Sequence, residues 1–147
     1  MIINTCSGAM SFVKELETRS AQFYELLSHK FPKDQDLFLS FIKENQDYLT
    51  QIERAYYGVI TDAFEGCFAF RINTEDYNLE IDLKEEEVSY GEALAKAIEL
   101  EEKIIKFYSD AAEQSKSLMA DVPRTFKLVA KKREKRLFEL KFLKNSH

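Results

Sequence analysis

The sequence contains no tryptophan, and glycine and proline are scarce, at four and two residues in 147. Sandwiches and barrels need turn residues at short intervals, so this scarcity favours long helices. Two cysteines, Cys6 and Cys67, form no CxxC pair. That excludes an iron knuckle or a zinc ribbon within these residues, and two unpatterned thiols fit a reducing, cytoplasmic setting. Histidine occurs only at His29 and His147. No run approaches the roughly 18 apolar residues of a membrane span, and Met1 to Ser7 lacks the basic start of a signal peptide, so no membrane association is expected. Acidic and basic residues are mixed along a chain of net charge −5, which argues against a nucleic-acid partner. No glycine-rich phosphate loop and no Ser/His/Asp set gives the common enzyme classes a foothold.

What is present is enough for one domain over residues 1–147. Hydrophobic residues make up 45% and charged residues 32%, with 12 Phe and 7 Tyr supplying bulk. A chain of this length buries most of its apolar surface without cross-links. Residues 1–10 read as a loose lead-in. A first helical hairpin follows over 11–58, with Ser11 as cap and an inner stripe running through Phe12, Val13, Leu16, Ser20, Phe23, Tyr24 and Leu27. Pro32, Asp34 and Asp36 mark its turn, and Phe38, Phe41, Ile42, Tyr48 and Ile52 continue the stripe. Residues 59–87 differ in kind and read as a crossover, with a short helix near 59–66 and extended chain after it. Tyr77, Leu79, Ile81 and Leu83 there alternate with polar residues. Cys67 lies in an apolar setting that predicts burial. A second hairpin occupies 88–147. Ser89 and Glu92 form a capping box at its start, and Asp121 and Pro123 open its second helix.

The two hairpins repeat each other. Leu16-Glu17 and Phe23-Tyr24 recur as Leu100-Glu101 and Phe107-Tyr108, at a constant separation of 84 residues. Phe38-x-x-Phe41-Ile42 matches Phe126-x-x-Val129-Ala130 at a separation of 88. A Glu and a Tyr seven positions apart lie two helical turns apart and point the same way, here toward the apolar side. Carboxylates rarely face a core without a metal or a cation beside them.

These residues resemble the rubrerythrin branch of the ferritin-like di-iron proteins. In that pattern a ligand Glu precedes a Tyr by seven residues in the first and third helices. The second and fourth helices read Phe-x-x-Leu-Ala-x-x-Glu-x-x-His. The resemblance implies an all-α, up-down four-helix bundle with a long crossover between helices two and three. It places Glu17 and Glu101 at ligand positions. The remaining ligand positions hold Asn45 and Tyr48 in the second helix, and Arg133 and Arg136 in the fourth. Neither Glu-x-x-His survives.

A di-iron centre takes about six carboxylate and imidazole ligands from all four helices. Arginine stays protonated and cannot ligate a metal, but it pairs well with carboxylates. The expectation is therefore that Arg133 and Arg136 replace the metal pair and bridge Glu17 and Glu101. Asn45, Tyr48, Tyr24 and Tyr108 would supply hydrogen bonds, with no catalytic residue and no cofactor. The expected role is binding or regulation, as a homodimer. The motive for a dimer is the apolar crossover, whose Phe68, Phe70, Ile72, Leu79 and Ile81 look too many for one small bundle to cover. The alternative is an iron- or manganese-dependent oxidoreductase acting on peroxide or iron. It gains ground if the helices are rolled by one residue, which would turn Glu44, Asp47 and Glu134 inward as an oxygen-rich site.

Overall fold

Thr5 opens the first long element. Its backbone is extended, and its side-chain oxygen accepts a 2.9 Å hydrogen bond from the Gly8 amide, so α1 runs over Cys6–Lys30. The structure, a computed structural model, describes residues 1–59, 70–79, 88–118 and 121–146. Among these, three further long helices follow: α2 over Gln35–Val59, α3 over Tyr90–Gln114 and α4 over Asp121–Asn145. A short 3-10 turn, Pro32–Asp34, links α1 to α2. Ser89 caps α3 by accepting from the Glu92 amide, as its capping box predicts.

The lead-in reading of residues 1–10 needs correction. The helix begins ahead of Ser11 because Thr5 is the residue with extended backbone and a free γ-oxygen. Ile2–Ile3 forms β1, paired antiparallel with β2 at Ile72–Asn73. Cys6, Ala9 and Phe12 already lie in the core.

Contacts fix the helix directions. Tyr24 meets Phe38 and Phe41, while Asn45 meets Ser20, so α1 and α2 are antiparallel. Tyr108 meets Phe126 and Glu101 meets Arg133, so α3 and α4 are antiparallel as well. Arg136 reaches Phe41 while Lys132 lies over Tyr48, which makes α2 and α4 antiparallel. It follows that α2 and α3 run the same way, and the chain between them joins opposite ends of the bundle. Each helix turns a stripe of period 3.6 inward, as in Val13, Leu16, Phe23 and Leu27 of α1 or Leu94, Ala97, Ile104 and Ala111 of α3.

Residues 70–79 lie against α1, α3 and α4. Phe70 packs edge-on against Phe126, and Tyr77 packs against Phe12 and Phe107 while donating a 2.5 Å hydrogen bond to Asp110. Arg19 and Lys103 hold the carbonyls of Leu79 and Asn78. The extended reading fails at Thr74–Tyr77, which form a 3-10 turn because the Asn73 side chain accepts from the Glu75 amide. Tyr77 and Leu79 of the alternating stretch are both buried.

The apolar surplus that motivated a dimer is not there at the residues described. Phe70, Ile72 and Leu79 are 5%, 1% and 2% exposed, covered by their own chain. The short helix near 59–66, Cys67, Phe68, Ile81 and Leu83 lie outside the described residues.

Candidate functional site: an ion-pair network in the core

The inward stripes of all four helices converge on polar residues at mid-bundle. Glu17 and Ser20 come from α1, Asn45 and Tyr48 from α2, Glu101 from α3, and Arg133 and Arg136 from α4. All seven are 2% exposed or less. Arg133 is the centre. One of its terminal nitrogens, Nη1, donates to both carboxylate oxygens of Glu101, at 2.8 and 2.7 Å. The other, Nη2, donates to Glu17, at 2.7 Å to Oε1 and with a second short contact to Oε2. One guanidinium thus bridges the two repeated glutamates. Its planar fork is what permits this, since each edge faces a different carboxylate.

Arg136 completes the charge balance. Its Nη1 donates to Glu101 at 3.2 Å and to the Asn45 side-chain oxygen at 2.7 Å. Its Nη2 reaches the Phe41 carbonyl at 3.1 Å and the half-exposed Glu44 carboxylate at 3.4 Å. The guanidinium also lies over the Phe41 ring at 4.5 Å, with Tyr24 and Tyr48 slightly farther off. Two buried glutamates therefore face two buried arginines, with aromatic rings beside both guanidiniums and the two buried Nε groups without a hydrogen-bond partner among the described residues.

The tyrosines cross between α1 and α3. Tyr24 of α1 donates at 2.6 Å to Glu101 of α3, and Tyr108 of α3 donates at 2.9 Å to Glu17 of α1. Asn45 donates to the Ser20 hydroxyl at 2.6 Å and accepts from both arginines, at 3.3 Å from Arg133 and 2.7 Å from Arg136.

Burial and pairing set the ionisation together. Burial works against charge on Glu101, but Arg133 and Arg136 outweigh it and hold the carboxyl below its ordinary value. Burial likewise opposes charge on Arg133, and Glu101 and Glu17 reverse it, so the guanidinium is held protonated well above its ordinary value. Burial first, and then the neighbouring carboxylate, push the hydroxyls of Tyr24 and Tyr108 well upward, so both remain donors.

Most of the expected site is thus brought together: Glu17, Glu101, Arg133, Arg136, Asn45, Tyr24 and Tyr108. Tyr48 is present, but in another role. Its hydroxyl has no hydrogen-bond partner among the described residues, and its ring instead faces Arg133 and Arg136. The rolled register is overturned. Glu44, Asp47 and Glu134 are all exposed, because a 100° step from Asn45, Tyr48 or Arg133 leads out of the bundle. Ser20 sits on the predicted stripe, but its hydrogen bond to Asn45 was not foreseen, since a small hydroxyl passes for an apolar filler. His29 is exposed at the end of α1 and takes no part, and His147 lies outside the described residues.

A di-iron or di-manganese centre does not fit these residues. The Arg133 guanidinium lies between the two carboxylates, the remaining polar groups around them are the Arg136 guanidinium, an amide and hydroxyls, and no imidazole is near among the described residues. Among the described residues no three His, Cys, Asp or Glu side chains gather as a metal site. Both glutamates are 2% exposed or less and accept from arginine and tyrosine, so their carboxylates face the network and not solvent.

Compared with family models, with curated proteins and with solved structures, the chain matches none.

Proposed function

We propose that the chain is a ferritin-like bundle of the rubrerythrin kind, made of two repeated hairpins, in which an ion-pair network stands where relatives carry metal. On this reading its role is binding or regulation rather than catalysis, and the core network fixes the register of four helices that present the outer surfaces. The observation that carries the proposal is the double bridge of Arg133 to Glu17 and Glu101. The crossed tyrosine bonds support an origin by duplication, because each half supplies the donor for the other half's carboxylate.

Energetics favour specificity as the network's contribution. Desolvating each ion costs several kcal/mol, and the attraction within a well-formed pair roughly offsets it. An apolar core would serve stability as well, but it would not distinguish helix registers as sharply, since a slip of one residue strands buried charges.

The test is to rebuild the relatives' ligand set with Asn45→Glu, Tyr48→His, Arg133→Glu and Arg136→His in one protein. If the ancestry is right, this variant takes up iron or manganese at about two atoms per chain, the content of a dinuclear site. Failure of the folded variant to take up any metal would remove the support for the ferritin-like assignment.

A further inference from the structure

We propose that the outer face of α4 is a docking surface for an anionic lipid bilayer. This rests on the helix exterior and not on the core network, so either reading can fail without the other.

The charge of the molecule is strongly uneven. Nine basic and three acidic residues give α4 a formal charge of +6 in a chain of −5, so the remainder carries −11. Arg133 and Arg136 are engaged inside, which leaves a net +4 on the helix exterior. That charge lies on one side. At 100° per residue, Lys127, Lys131, Lys135 and Lys141 fall within about 60° of Phe138, with Glu134 the one acidic residue of α4 in the same sector, and all five are exposed.

Two aromatic side chains stand at the C-terminal end of this basic sector. Phe138 and Phe142, one turn apart, are 74% and 65% exposed, among the most exposed large apolar side chains described. Phenylalanine left this open has no reason in the bundle's own packing, where the other side of α4 supplies Phe126, Val129 and Leu140. Exposed aromatic anchors beside lysines on one helix sector are the pattern that inserts at a headgroup boundary while the cations meet anionic lipid.

A second copy is the weaker occupant. A two-fold interface would lay this face on itself and oppose like charges, and two phenylalanines bury only about 300–500 Å², below the roughly 800 Å² per partner of a stable interface. Phe138 and Phe142 project from this face, at 74% and 65% exposed. A bilayer accepts projecting side chains without a matching pocket, whereas a protein partner must supply one. The opposite signs of α4 and the remainder of the chain favour an approach to an anionic surface with α4 foremost. No helix among the described residues is long and apolar enough to cross a membrane, so the contact is peripheral.

The experiment is sedimentation of the full chain with vesicles of phosphatidylcholine containing about one-third phosphatidylserine, beside vesicles of phosphatidylcholine alone. The expected result is binding to the anionic vesicles only, weakened as salt rises from about 0.1 to about 1 M and the screening length falls from ~10 to ~3 Å. Phe138→Ser with Phe142→Ser should lower partitioning by about tenfold or more, and so should Lys131→Glu with Lys135→Glu and Lys141→Glu. All five positions are exposed, so unchanged helix content and melting temperature verify that the variants fold. Protein left in the supernatant with both vesicles overturns the proposal. So does binding indifferent to the phenylalanine changes. Self-association abolished by those same changes, without vesicle binding, would assign the face to a second copy and overturn the lipid reading.

Discussion

Tyr24 donates its hydroxyl to Glu101 at 2.6 Å across the bundle, and its repeat partner Tyr108 donates to Glu17 at 2.9 Å. The two bonds are related by exchange of the halves of the chain, but their surroundings differ. Glu101 also receives both arginines, whereas Glu17 receives Arg133 alone among them. The symmetry of the glutamates is therefore broken by α4, which supplies both cations where α2 supplies an amide and a ring.

This asymmetry orders two substitutions. Tyr24→Phe and Tyr108→Phe each remove a hydrogen bond to a buried charge, worth about 1.5–3 kcal/mol. Tyr108→Phe should be the more costly, because Glu17 has fewer remaining donors. Urea unfolding of both variants decides it, and an equal or reversed order would show that the two carboxylates are held alike.

Removing the bridge should cost more than either tyrosine. Arg133→Leu strands the buried Glu17 carboxylate, while Glu101 keeps Arg136, and is expected to destabilise by about 3–5 kcal/mol. Replacing Glu17, Glu101, Arg133 and Arg136 together by methionine should cost much less than that single change, because no uncompensated charge remains. Denaturant midpoints of the single and fourfold variants provide the comparison. A melting temperature unmoved by Arg133→Leu would place Arg133 outside the core.

Stability should be flat near neutrality and fall at both extremes. Glu101 is held below its ordinary 4.5, so its contribution is complete above that value and is lost as pH falls through it toward the folded value. Tyr24 and Tyr108 are held above their ordinary 10.0, so their contribution is complete below 10.0 and is lost as pH rises beyond it. Urea midpoints across the pH range check this. A steep change between about pH 5 and about pH 9 would point to a titrating group outside the network.

The start of α1 gives a local test. Thr5→Ala removes the side-chain acceptor for the Gly8 amide and should cost about 1 kcal/mol, while Ser11→Ala, on an exposed position, should change stability by less than about 0.5 kcal/mol. The reverse order would restore Ser11 as the cap.

The helices and the network were legible because they rest on period and repeat. Glu17 and Glu101 sit on stripes that only burial explains, and counting from Phe126 put Arg133 and Arg136 on the stripe facing them. Tyr48 was misjudged for a reason of geometry: position on a stripe gives the direction of Cβ, but not whether a hydroxyl finds a partner or a ring turns its face to a cation. Thr5 was passed over because a cap is recognised by backbone shape, and Thr5 and Ser11 are equally suitable by residue type. The burial of Phe70, Ile72 and Leu79 depends on long-range contacts with β1, α3 and α4, which no local pattern records.

The central claim is that arginine, not metal, holds the two repeated glutamates. It is tested most directly by incubating the purified wild-type chain with iron(II) or manganese(II) under anaerobic conditions. Bound metal is then counted after desalting, and the melting temperature is followed alongside. A ligand that binds the folded state raises its melting temperature by mass action. The account predicts no stoichiometric metal and no shift. About two atoms per chain, with a raised melting temperature and both effects lost in Glu101→Ala, would contradict it.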